Sequence, residues 1–186
     1  MSGLFFGLGC SVKFPFNALE SPFSIVASNA VCVPQKIAFP FSLICSSSHA
    51  FHTDNNEVNS AASILKPGWV LSSNPYFLER SINKYTRRRR SADYRTDLPI
   101  FRPTIADMVA DARNRLLKYK EFQIQSSSTP SVTSLLLVER QISGAGKSVI
   151  QSSDIDPAVD AYTQFIHRYA LHVSIHYIAS YFTNYS

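Results

Sequence analysis

Four consecutive arginines, Arg87, Arg88, Arg89 and Arg90, make the strongest chemical statement in this 186-residue sequence. Guanidinium groups side by side repel one another, so such a run needs solvent or an acidic partner. Phosphates of a nucleic acid satisfy it, with Tyr85 and Tyr94 near enough to stack on bases. An acidic protein surface or an anionic lipid headgroup satisfies it too, and a receptor can read the run as a nuclear address. Ser91 directly follows, and its phosphorylation would place roughly −2 of charge beside the arginines.

The run is the peak of a longer basic segment. Residues 80–120 hold twelve of the eighteen Lys and Arg against four acids, Asp93, Asp97, Asp107 and Asp111, a net +8. The whole chain is +5, so the rest is −3. Basicity concentrated in this way points to one polyanion-facing surface rather than to a uniformly basic protein. The candidate contacts are Arg87, Arg88, Arg89, Arg90, Arg95, Arg113, Arg115, Lys118 and Lys120.

A second motif joins an apolar stretch, a glycine-rich turn, a lysine and a serine. Gly144-Ala-Gly146-Lys147-Ser148 resembles the second half of the P-loop of nucleotide triphosphatases. There, backbone amides cradle phosphates, Lys reaches the outer phosphates and Ser holds Mg²⁺. The resemblance implies Gly144, Gly146, Lys147 and Ser148 as nucleotide-binding residues, although Gln141 stands where the motif has its first glycine.

Other chemistry lacks its parts. On a helix, His172 and His176 would share a face, but zinc needs a third ligand and usually a carboxylate nearby, and no acid follows Asp160. No nucleophile, base and orienting acid form a recognisable set, so no catalytic residue, metal or cofactor is expected. Cys10, Cys32 and Cys45 are odd in number and widely spaced, which reads as buried or free thiols.

Stepping back to the elements, residues 1–52 carry eight of thirteen Phe, four Pro, one acid and no arginine. They are either an apolar segment of short strands and loops or a Ser-rich targeting segment. No stretch approaches the ~18 apolar residues of a membrane span. Residues 53–75, rich in Asn, Ser, Pro and Gly, predict a linker or surface loop. Residues 76–186 form the basic α/β domain.

Within it, 76–85 predicts a short helix with Pro75 at its first turn. Residues 104–122 predict the clearest helix, with Thr104 as N-cap and a stripe of Ile105, Met108, Val109, Ala112, Leu116 and Tyr119. Residues 132–138 read as a buried strand. Asp156 and Pro157 open another helix. Residues 165–182 fit a buried helix or a strand equally. No internal repeat is visible.

These features predict a small single α+β domain with two or three helices and a few short strands, its N-terminal third loosely packed or flexible. The expected function is a non-enzymatic protein that contacts nucleic acid or another polyanion, or an acidic protein surface, through residues 84–120. A nuclear or organellar setting suits it. The alternatives are a structural or accessory subunit of a larger assembly, and a nucleotide-binding enzyme with a degenerate P-loop at 141–148.

Overall fold

The computed structural model describes residues 3–46, 63–88, 100–126 and 142–183. The chain begins as a coil of very short strands: β1 (Phe5–Phe6), β2 (Ser11–Val12), β3 (Phe16–Asn17), β4 (Ile25–Val26), β5 (Val31–Cys32), β6 (Gln35–Lys36) and β7 (Leu43–Ser46). Each pairs in parallel with the strand three places on, β1 with β4, β2 with β5, β3 with β6 and β4 with β7. Phe5 stands opposite Ile25, and Ile25 opposite Leu43, so one circuit takes 20 residues and the next 18. This is a three-sided β-solenoid, in which each circuit buries its surface against the next.

The repeat lies in the backbone. Gly3, Phe23 and Phe41 hold one corner on successive circuits with φ of 55°, 58° and 55°. Gly9 and Asn29 hold another with φ of 71° and 59°. Glycine takes the left-handed corner freely, whereas a bulky residue there costs roughly 1–3 kcal/mol. Burial offsets that cost, since a fully buried side chain of this size contributes about 1.5–3 kcal/mol. The Phe23 and Phe41 rings are both buried and stack with centroids 5.3 Å apart and planes 9° apart.

The abundant serines serve the same coil. Ser21 accepts from the Phe39 amide at 2.9 Å, Ser24 accepts from the Ser42 amide at 3.0 Å, and Ser42 donates to the Phe39 carbonyl at 2.8 Å. All three serines are buried, so their hydroxyls satisfy backbone groups that such short strands leave over.

The expected α+β class and single small domain are what the structure has. The first third, expected to be loosely packed, supplies core residues: Phe23, Val26, Ala30, Cys32, Ile37, Phe39, Phe41 and Ile44 are buried. Within the stretch read as linker, β8 (Ser63–Lys66) pairs antiparallel with β7. Val149 then bridges to Ile64 in parallel, covering the outer edge of β8.

Four helices follow among the described residues, where two or three were expected. They are α1 (Trp69–Ser72), α2 (Pro75–Arg88), α3 (Pro103–Ser126) and α4 (Ser152–Thr183). Pro75 opens α2 as expected, and the helix runs on into the arginine run. Thr104 does not cap α3; Pro103 is already helical, and the Arg102 carbonyl accepts from Ile105 and Ala106 at 3.0 Å. The expected stripe is buried at Ile105, Val109, Ala112, Leu116 and Tyr119. Asp156 and Pro157 lie inside α4, which starts four residues before Asp156.

α4 resolves the choice left open for 165–182, because one helix runs through it. Its first half closes the core. Tyr162 is fully buried and donates to the Pro40 carbonyl at 2.7 Å, and Phe165 meets Phe41 of the solenoid at 5.2 Å. Residues 132–138 lie outside the described residues.

Candidate functional site

The cations of α3 do not share one side. At about 100° per residue, Lys120 falls close to Arg113 around the helix, while Arg115 and Lys118 fall on the other side. Arg113 donates to Thr163 at 2.6 Å and Lys120 pairs with Asp156 at 2.6 Å. Both pairs are seven residues apart, which is the register of α3 antiparallel to α4. Arg115 points the other way, donates to the Ala38 carbonyl and lies 5.1 Å over the Phe39 ring. Three of these four cations thus tie α3 to its neighbours, and Lys118 is exposed.

On α2, Arg80 and Arg87 are exposed and lie opposite buried Leu78. Arg87 stands in the last turn, where positive charge complements the helix dipole. The Arg88 side chain and residues Arg89, Arg90 and Arg95 lie outside what is described.

The loop of the P-loop resemblance is a packing element. Ser148 is fully buried, 2.7 Å from the Ser63 hydroxyl and 3.1 Å from Gln35 Oε1. The Lys147 amide donates to Gln35 Oε1 at 2.8 Å, and the Gly144 carbonyl accepts from the Ala38 amide at 2.8 Å. A Cβ on Gly146 would stand 2.6 Å from the Lys36 carbonyl, so glycine is what lets the loop touch the solenoid. The hydroxyl that the resemblance gives to a metal ion, and an amide it gives to phosphate, are therefore bonded inside the protein. Among the described residues no cluster of three or more His, Cys, Asp or Glu is placed to hold a metal.

The surface that the packing leaves open is on α4. From Ser152 to Tyr169 the helix turns Ile155, Ala158, Ala161, Tyr162 and Phe165 into the core. Its outward arc there carries Asp156, Asp160, Gln164, His167 and Arg168, all exposed. Past Tyr169 the pattern reverses. Taking Leu171 as 0° and about 100° per residue, Ile175, Ile178 and Tyr181 fall near 40°, 340° and 280°, the arc that held the polar residues one turn earlier. His172 and His176 fall near 100° and 140°, in line with Phe165. His172 packs on Phe101 at 5.2 Å, and His176 on His172 at 4.3 Å.

Leu171, Val173, Ile175, Tyr177, Ile178 and Tyr181 are consequently 47–72% exposed. The sequence reading took 165–182 as buried if helical. The overhang is not, because the body of the protein ends near Tyr169 and the apolar stripe has moved to the far side. The missed signal is this shift in the phase of the stripe, which is legible by angle and invisible in composition.

Beside the outward arc lies a cleft of about 390 Å³. Leu71, Leu78, Ile100, Phe101 and Phe165 give it an apolar lining, and Asp160, Gln164 and Arg168 stand along α4 at its side. No ion pair is formed by Asp160 or Arg168 with a described residue. Sequence reasoning gave these three no role, although their spacing of four residues sets them in one row.

No described helix is long and apolar enough to cross a membrane. No protein-family model matches the chain, and no curated protein or solved structure shows significant similarity to it.

Proposed function

We propose that this chain is a non-enzymatic assembly module, a structural or accessory subunit that joins a protein complex through the outward face of α4. The observation that supports this is the reversal of the apolar stripe at Tyr169. A helix end that merely frays needs no stripe, and a helix built for its own core keeps the stripe inward. An exposed contiguous apolar patch on a soluble protein marks a contact surface. Six side chains of this size, where a whole aromatic contributes ~150–250 Å², expose on the order of 600–700 Å². That approaches the ~800 Å² per partner of a standard interface.

Sedimentation of the full chain at ~50 μM tests this, a concentration at which a micromolar contact is well populated. The wild type is expected above monomer mass or to leave solution. Ile175→Asp with Ile178→Asp is expected to give a monodisperse monomer of unchanged thermal midpoint. A wild type that is already a soluble monomer, and that the double substitution leaves unaltered, overturns the reading.

A second reading, contact with nucleic acid or an acidic protein surface through residues 84–120, is favoured by Arg80 and Arg87 exposed on one side of α2. It draws little on α3, where Arg113, Arg115 and Lys120 already have partners. Binding to generic RNA at low salt that weakens steeply with salt, and falls on Arg87→Ala with Arg88→Ala, supports it. Absence of binding at low salt removes it.

A further inference from the structure

We propose that the partner of α4 is a second copy of the same helix, laid antiparallel about a two-fold axis at Gln164; this rests on the assembly reading above. The argument starts from the row Asp160, Gln164, Arg168. Asp160 and Arg168 are eight residues apart, about 12 Å along a helix, too far to pair with each other. Both are exposed, and neither pairs with another described residue.

In an antiparallel pair centred on residue 164, residue 160 of one copy faces residue 168 of the other. Asp160 then meets Arg168 of the second copy, Arg168 meets the second Asp160, and the two Gln164 amides meet on the axis. An isologous interface requires a surface complementary to itself under two-fold rotation, and this row has that property. A row of like charges, or a reversed order of acid and base on one side, would lack it.

The same register places the overhang. Leu171 falls opposite Pro157 of the second copy, at the edge of its cleft, so the apolar stripe that leaves one body arrives on the other. The apolar arc from Leu171 to Tyr181 carries no charge. Two such arcs therefore approach without repulsion, and neither needs a partner of different composition.

Charge reversal separates this register from assembly in general. Asp160→Arg alone, or Arg168→Asp alone, puts two like-charge contacts into each dimer and is expected to raise the dimer dissociation constant about tenfold or more. The double reversal, Asp160→Arg with Arg168→Asp, rebuilds the pattern in the opposite sense and is expected to return within about threefold of wild type, as coupled sites do. Both residues are exposed, and the thermal midpoint of each variant at dilution confirms an intact monomer. Dimerisation measured by sedimentation velocity decides. If single reversals leave the constant unchanged, or the double variant stays as weak as the singles, the register falls. If association nonetheless depends on Ile175 and Ile178, the assembly reading stands without it. A monomeric wild type removes both.

Discussion

The first third of the chain and the end of α4 are both apolar and poor in acid, yet they use their apolar side chains in opposite ways. Between residues 23 and 44 the solenoid buries Phe23, Phe39, Phe41, Ile37 and Ile44 almost completely. Between residues 171 and 181 the helix leaves Leu171, Ile175, Tyr177 and Ile178 more than half exposed. The difference is one of who supplies the neighbours. A solenoid circuit is covered by the next circuit of the same chain, so burial comes with the topology. A helix covers nothing by itself, and once it passes the edge of its body its stripe has no surface unless another molecule brings one.

Substitution on either side of Tyr169 gives the sharpest break. Phe165→Ala removes a buried ring that touches both Phe41 and Phe101. It is expected to cost about 3–5 kcal/mol in denaturant unfolding, the usual loss for a buried aromatic. Ile175→Ala, ten residues on in the same helix, is expected within about 0.5 kcal/mol of wild type when unfolding is followed at high dilution. Equal losses at the two sites would mean that the overhang is covered within the monomer.

A smaller effect tests how the inward half is locked. Tyr162 is fully buried, and its hydroxyl donates to the Pro40 carbonyl at the solenoid corner. Burial pushes its phenol well above the usual range, the Ser42, Gly68 and Arg115 contacts opposing only in part. Tyr162→Phe keeps the ring and strands that carbonyl, which is expected to lower stability by about 1–2 kcal/mol. A neutral result would show that the ring alone joins helix to solenoid.

The helices were legible because their signals are local. Pro75 marks the start of α2, and the stripe from Ile105 to Tyr119 is the buried face of α3. The solenoid was not, because strands of two residues carry no alternation and its corners repeat a sign of φ rather than a residue type. Gly3, Phe23 and Phe41 share a conformation and no side-chain chemistry. The site was half legible. Counting charges located the basic segment, but direction decided its use, and Arg113 and Lys120 turn inward to Thr163 and Asp156. Asp160 and Arg168, outside that segment, are the charges left facing out of α4.

Thiol chemistry extends the contrast into the solenoid itself, where the first circuit has a neighbour on one side among the described residues and the second on two. Cys10, on the first circuit, is partly exposed, while Cys32, on the second, is buried; both are free thiols. Burial, with a smaller contribution from Cys10, pushes the Cys32 thiol from 9.0 up to about 11. The folded state therefore keeps the Cys32 proton in a range where the unfolded chain releases it. Its stabilising share is complete below pH 9 and is lost as pH rises through 11. Tyr162 and Cys45, also pushed up by burial, act in the same direction, so the wild-type slope is a sum. Cys32→Ala is expected to flatten the fall in urea midpoint between pH 9 and 11 without abolishing it. At pH 8 an alkylating reagent is expected to label Cys10 well before Cys32, because the thiolate is the reactive form. Equal labelling rates, or a pH slope indifferent to Cys32→Ala, would place the second circuit in solvent and undo the contrast between a surface that covers itself and one that waits for a partner.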